Sequence, residues 1–163
     1  MTEPADPVLL EGHAAYAARA TEMVIGTRTE LSLLTQELDR RVYATESFVE
    51  AVRVFVLKHQ QTRLRVLVNN TRAAIAGGSR LVEFGRKLST FVEFRELSIE
   101  RRQFIREEYL ISDGRLLLYR EAPGDLVSKY YDSSPQLARL KLKDFDVLWN
   151  ESTTAQELRD LRL

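Results

Sequence analysis

The stretch that decides the architecture is Phe104-Ile105-Arg106-Glu107-Glu108-Tyr109-Leu110-Ile111-Ser112-Asp113-Gly114-Arg115-Leu116-Leu117-Leu118-Tyr119-Arg120. Phe104 to Ser112 reads as a strand, Asp113-Gly114 as a tight hairpin turn and Arg115 to Arg120 as the returning strand. Asp-Gly supplies the positive φ angles that a short hairpin turn requires. Residues two apart on a strand share a face, so Arg106 and Glu108 point the same way and are expected to form an ion pair.

Upstream, helices and strands alternate. Leu10 to Ile25 has Tyr16, Ala20 and Met23 at i, i+4 and i+7, with Gly26 as its stop. Glu30 to Thr35 reads as a strand. Thr45 or Ser47 caps a helix whose inner stripe is Phe48, Val52 and Phe55, and Ser47-Phe48-Val49-Glu50 fits a capping box. Leu64 to Val68 is a second strand. Ser79 caps a helix carrying Leu81, Phe84 and Leu88, and Phe91 to Phe94 is a third strand. Downstream of the hairpin comes a loop holding Pro123, Gly124 and Tyr130-Tyr131. Ser134-Pro135 then opens a last helix with Ala138, Leu142, Phe145 and Trp149 on its buried stripe. The order α-β-α-β-α-β-β-β-α implies an α/β fold, a mixed sheet with helices on its faces. Residues 1–8, with Pro4 and Pro7, read as a flexible tail before a single domain over 9–163.

Composition narrows the function classes. The 163 residues suit one domain, and 44% hydrophobic with 29% charged residues is an ordinary globular balance. There is no cysteine, which excludes disulfides, cysteine catalysis and thiolate metal sites. No apolar run approaches the ~18 residues of a membrane span, and the acidic, Pro-rich start is no secretory signal. A cytoplasmic protein without membrane contact is the expectation. Formal net charge is zero, with 24 basic and 24 acidic residues. That argues against a non-specific nucleic-acid binder without excluding local contacts.

Few residues carry chemistry. The two histidines, His13 and His59, stand apart from any nucleophile–base arrangement, and without Cys or paired Asp they make no metal site. No cofactor is expected. Gly77-Gly78-Ser79-Arg80 before a helix offers backbone amides to a phosphate, but it is no Walker motif, and an ordinary loop explains it as well. Arg95, Arg101, Arg102 and Arg106 gather near one strand with Tyr109. They suit contact with a nucleic-acid backbone, but Glu93, Glu96, Glu100, Glu107 and Glu108 interleave with them, and mixed charge of this sort more often marks a solvated face. Tyr130 suits either a partner contact or local packing.

The layout of residues 29–151 resembles one half of a phospholipase D-like protein, and the whole chain resembles an uncharacterised bacterial family of such domains, sometimes found beside acetyltransferase modules. In that superfamily a strand carries His-x-Lys, and an Asp follows five residues after the Lys at the turn. A late helix often ends in Phe-x-x-x-Trp, as Phe145-Asp146-Val147-Leu148-Trp149 does here. Counting back from Asp113 puts Arg106 at the His position and Glu108 at the Lys position. Arg120-Glu121 stand where Gly-Ser is typical. An imidazole attacks phosphorus and leaves again, whereas Arg stays protonated. Lys would stabilise phosphoryl oxygens, whereas Glu108 would repel them. The resemblance therefore implies a degenerate site at Arg106, Glu108, Asp113 and Arg120, and a non-catalytic binding module for a phosphate-bearing or acidic ligand. Two alternatives stay open: a nuclease built on Asp113 and Glu108, and an accessory domain regulating an acetyltransferase. Single-motif members pair two copies, which implies a homodimer beside Phe104–Ile111 and Tyr130, with Arg101, Arg102 and Tyr109 as further partner contacts. A separate protein partner is the other expectation.

Overall fold

The computed structural model describes residues 5–76 and 80–155. Along the chain it holds β1 (Val8–Glu11), α1 (Gly12–Gly26), β2 (Glu30–Thr35), α2 (Arg40–Tyr43), α3 (Glu46–Val56), β3 (Arg63–Val68), α4 (Thr71–Ala76) and α5 (Arg80–Lys87). Then follow β4 (Val92–Glu96), α6 (Ile99–Arg102), β5 (Glu108–Ser112), β6 (Leu116–Arg120), β7 (Val127–Tyr131), α7 (Pro135–Glu151) and β8 (Thr153–Thr154). The eight strands of the described residues join one sheet in the order β1-β7-β6-β5-β2-β3-β4-β8.

The middle of the sheet is parallel and its flanks are antiparallel. Strands β2, β3 and β4 pair in parallel and are joined by helical crossovers, as parallel neighbours require. The α3 crossover is capped by Thr45, whose hydroxyl accepts from the Phe48 amide at 3.1 Å. Helix α5 lies so close to the sheet that a Cβ on Gly85 would sit 2.6 Å from the Phe94 ring, so no larger residue fits without movement there.

Two apolar layers sandwich the sheet. On one face α1, α3 and α5 bury Tyr16, Ala20, Val24, Phe48, Val52, Phe55 and Leu81 against Leu31, Leu33, Val66 and Leu110. On the other face α7 presses Ala138, Phe145 and Trp149 onto Leu34, Leu67, Tyr109, Ile111 and Leu117. Arg65 and Arg95 fasten α7 to the sheet. The Arg65 guanidinium lies 4.8 Å from the Phe145 ring and pairs with Asp146, and Arg95 lies 4.6 Å from the Trp149 ring.

The mixed sheet is as the sequence implies, with three local corrections. Residues 8–11 form strand β1 on β7, so the first helix begins at Gly12 rather than Leu10. The loop expected before the last helix contains β7, in which Ser128 and Tyr130 face inward and alternate with Val127 and Lys129 on the other face. The strand expected from Phe104 starts only at Glu108. The Asn69 side-chain amide donates to the carbonyls of Arg102 and Ile105, at 2.9 and 3.0 Å, and holds the lead-in off the sheet. The Gly77-Gly78-Ser79 turn lies outside the described residues. Among the described residues no helix is long and apolar enough to cross a membrane.

Candidate functional site

Strand β5 carries an acidic residue at its start, Glu108, and another just past its end, Asp113. Their surroundings differ entirely. Asp113 and Gly114 both take positive φ, 51° and 64°, which bends the chain into the hairpin. From that turn the Asp113 carboxylate accepts the backbone amides of Arg28 at 2.8 Å, Thr29 at 3.0 Å and Glu30 at 3.0 Å. It therefore tethers the start of β2. Partial burial pushes this carboxyl upward, but the three amides and the Thr29 hydroxyl outweigh it and hold it below the usual carboxylate range.

Glu108 is fully buried on the α1 side of the sheet. One carboxylate oxygen accepts from the Thr35 hydroxyl at 2.8 Å and the Gln36 amide at 2.9 Å. The other accepts Nε and Nη2 of Arg120 at 2.9 and 2.5 Å, with the Tyr43 hydroxyl at 3.5 Å. Both charged side chains are only 1% exposed. The Arg120 guanidinium also lies 4.2 Å above the Tyr16 ring, which covers the pair from α1. Burial works against the charge on Arg120, yet the Glu108 charge and the flanking tyrosines hold its pKa above the usual value. Burial, reinforced by the Glu108 charge, pushes the hydroxyls of Tyr16 and Tyr43 up, so both stay protonated.

Above this pair opens a groove of about 1130 Å³ at the carboxyl ends of β2 and β3, the end of a parallel sheet where ligands commonly bind. Its walls include Gln36, Leu38, Arg40, Arg41, Arg80 and Glu83, and Glu108 lies at its floor. Leu38 takes a left-handed conformation at the rim, φ 54°, and its amide donates to the Thr35 hydroxyl. Arg41 is held by Asp39 and Arg80 by Glu46. Among the described residues no ion pair or side-chain hydrogen bond engages Arg40.

The geometry sorts the sequence-derived site residues. Glu108 and Arg120 come together. Arg106 does not join them: it lies outside the strand, exposed, and the expected Arg106–Glu108 pair is replaced by Arg120–Glu108. The register explains this, because β5 pairs with β6 so that Glu108 faces Arg120 across the hairpin. Asp113 stands five residues from Glu108 along an extended strand, roughly 17 Å away, so the two carboxylates cannot act on one phosphodiester. Arg101 pairs with Glu151 and Arg102 with Glu96. The expected partner contacts at Tyr109 and Tyr130 are corrected: Tyr109 is buried under α7, and Tyr130 faces α1 beneath Arg19. His13 opens α1, whereas His59 touches the Arg28 carbonyl at the opposite end of the sheet. Among the described residues no cluster of three His, Asp or Glu side chains is arranged to hold a metal ion. Thr35, Gln36, Tyr16 and Tyr43 were missed in the sequence. The available signal was the polar pair Thr35-Gln36 at the carboxyl end of a parallel strand.

The sequence profile of a family described as a domain of unknown function, DUF7931, matches residues 12–161. The chain belongs to that family. No curated protein sequence gives a match. Among solved structures, the archaeal chromatin protein TrmBL2, described for a novel mode of DNA binding, superposes with a TM-score of 0.66 at 14% identity. The match covers 93% of this chain and 54% of that one, so the chain spans about half of TrmBL2. The phospholipase D family member Nuc from Salmonella typhimurium matches with a TM-score of 0.59 at 12% identity, over 91% of this chain and 98% of Nuc. Phosphatidylserine synthase from Haemophilus influenzae gives 0.60 at 12% identity, over 96% of this chain and 41% of that one. The domain thus has a phospholipase D-like fold.

Proposed function

We propose that this domain is a non-catalytic binding module whose phospholipase D-type site has degenerated. The observation that carries the reading is the Glu108–Arg120 pair. Phosphoryl transfer on this fold would require a nucleophile and a cation aimed at the phosphoryl oxygens. At the position the resemblance assigns to the cation stands a carboxylate, and its acceptor sites are filled by Thr35, Gln36 and Arg120. At the position of the nucleophile stands Arg106, whose guanidinium is no nucleophile and which lies outside the strand. Neither histidine lines the groove.

What remains is a groove with Arg40 on its wall, a cation that no ion pair or side-chain hydrogen bond engages among the described residues. It suits a small phosphate-bearing or acidic ligand held by a charge-assisted contact rather than cleaved. The likeness to a chromatin protein described for DNA binding supports a binding role for this fold.

The test incubates the purified protein with bis-p-nitrophenyl phosphate and with single- and double-stranded DNA, and titrates it with pyrophosphate in a calorimeter. The expected result is no turnover, with pyrophosphate binding that weakens in Arg40→Ala. Turnover that disappears in Glu108→Gln would overturn the non-catalytic reading. Pyrophosphate binding indifferent to Arg40→Ala would overturn the ligand assignment.

A further inference from the structure

The two faces of the sheet are unequally covered. Helix α7 lies across β2, β5 and β6 and its apolar cluster reaches Tyr131 at the end of β7, while among the described residues neither Val127 and Lys129 of β7 nor any residue of β1 joins that cluster. Tyr130 and Leu10 belong to the α1 side, so Val127 and Lys129 of β7 and Leu9 and Glu11 of β1 point to the uncovered side. Leu9 is 62% exposed and Val127 46%, and Leu126 beside them is 72% exposed. Aliphatic side chains gathered this way on a bare sheet face mark an interaction surface.

The register makes the surface complementary to itself. Leu9 stands opposite Lys129, and Glu11 opposite Val127. The four side chains form a square with the aliphatics on one diagonal and the opposite charges on the other. A two-fold axis along the Leu9–Val127 diagonal lays Leu9 on Leu9 and Val127 on Val127 of a second copy. It also sets Lys129 of each copy against Glu11 of the other, twice over. Sheets so related cross at a steep angle, one of the two preferred ways for sheets to pack face to face. Among the described residues, Lys129 and Glu11 have no ion-pair partner within the chain. Edge-to-edge pairing through β1 is disfavoured, since the strand has four residues and Pro7 precedes it without an amide hydrogen.

We infer that the occupant of this face is a second copy of the chain, packed sheet on sheet about that two-fold. The surface is isologous: one patch serves both partners. It is separate from the groove, so the inference stands or falls independently of the proposed ligand.

Sedimentation equilibrium of the full chain at about 50 µM, where a pair with Kd near 1 µM is mostly dimeric, tests it with three variants. Lys129→Glu sets four carboxylates together, and Glu11→Lys sets four ammonium groups together. Each single reversal is expected to weaken the dimer about tenfold or more. The double variant Lys129→Glu/Glu11→Lys restores two opposite-charge contacts and is expected to return most of the affinity. Circular dichroism confirms that each variant is folded. A monomeric wild type would overturn the inference and leave the face to a different protein. A dimer indifferent to both single reversals would overturn it as well, by placing the contact elsewhere.

Discussion

The two ends of strand β5 solve the same problem in different ways. Asp113 satisfies its charge with three backbone amides from one neighbouring segment, residues 28–30, and keeps part of its surface in water. Glu108 satisfies its charge with side chains from β2, α2 and β6 and one amide, wholly out of water. A backbone-held carboxylate needs only that two chain segments lie side by side. A carboxylate held by side chains needs several elements in register and leaves no free acceptor for a ligand. The first arrangement is a tether. The second is an interior charge pair at the floor of the groove.

The comparison predicts a ranking of effects. Glu108→Ala should be the most damaging change, since it strands the Arg120 guanidinium without a counter-charge in the interior. Breaking one side of a buried pair costs about 3–5 kcal/mol, read as a drop in the urea midpoint. Asp113→Ala should cost less, about 1–3 kcal/mol, combining lost amide acceptors with a side chain forced to positive φ. Asp113→Gly separates the two terms, because it removes the acceptor and relieves the backbone.

Acid sharpens the same contrast. The Asp113 carboxyl is depressed in the native state relative to about 3.9 in the unfolded chain. Its stabilisation is therefore fully present above roughly pH 4 and is lost as pH falls through the native value. Stability of the wild type should fall below about pH 4, and more steeply than that of Asp113→Asn. An equal acid slope in the two proteins would break the tether account. The smallest effect belongs to Arg106→Ala, within about 0.5 kcal/mol, as for an exposed residue that has no ion pair among the described residues.

The sequence made much of this legible. Asp-Gly between two apolar runs marked the hairpin, the i, i+4, i+7 stripes marked α1 and α7, and alternation of helix and strand marked the mixed sheet. The Arg120–Glu108 pair was hidden by one residue of register. A two-residue turn at Asp113-Gly114 would place Tyr119 opposite Glu108. The chain instead leaves residues 113–115 between paired Ser112 and Leu116, which brings Arg120 across. Strand β7 was hidden for another reason. Val127-Ser128-Lys129-Tyr130-Tyr131 mixes polar and aromatic residues, and its strand character comes from pairing with β1 and β6 rather than from its own pattern. Arg106 was misplaced because the Asn69 side chain, donating to the Arg102 and Ile105 carbonyls, bends the lead-in to β5, and nothing local in the sequence announces that long-range contact.

The central claim is that the charges of Glu108 and Arg120 satisfy each other inside the fold. A double-mutant cycle of urea unfolding across wild type, Glu108→Leu, Arg120→Met and the double variant measures this directly. The account predicts that the double variant is more stable than either single one, with a coupling of about 2–3 kcal/mol, because removing both charges leaves no unpaired ion in the interior. Additive losses with a coupling near zero would contradict it and return Glu108 to the groove as a free carboxylate.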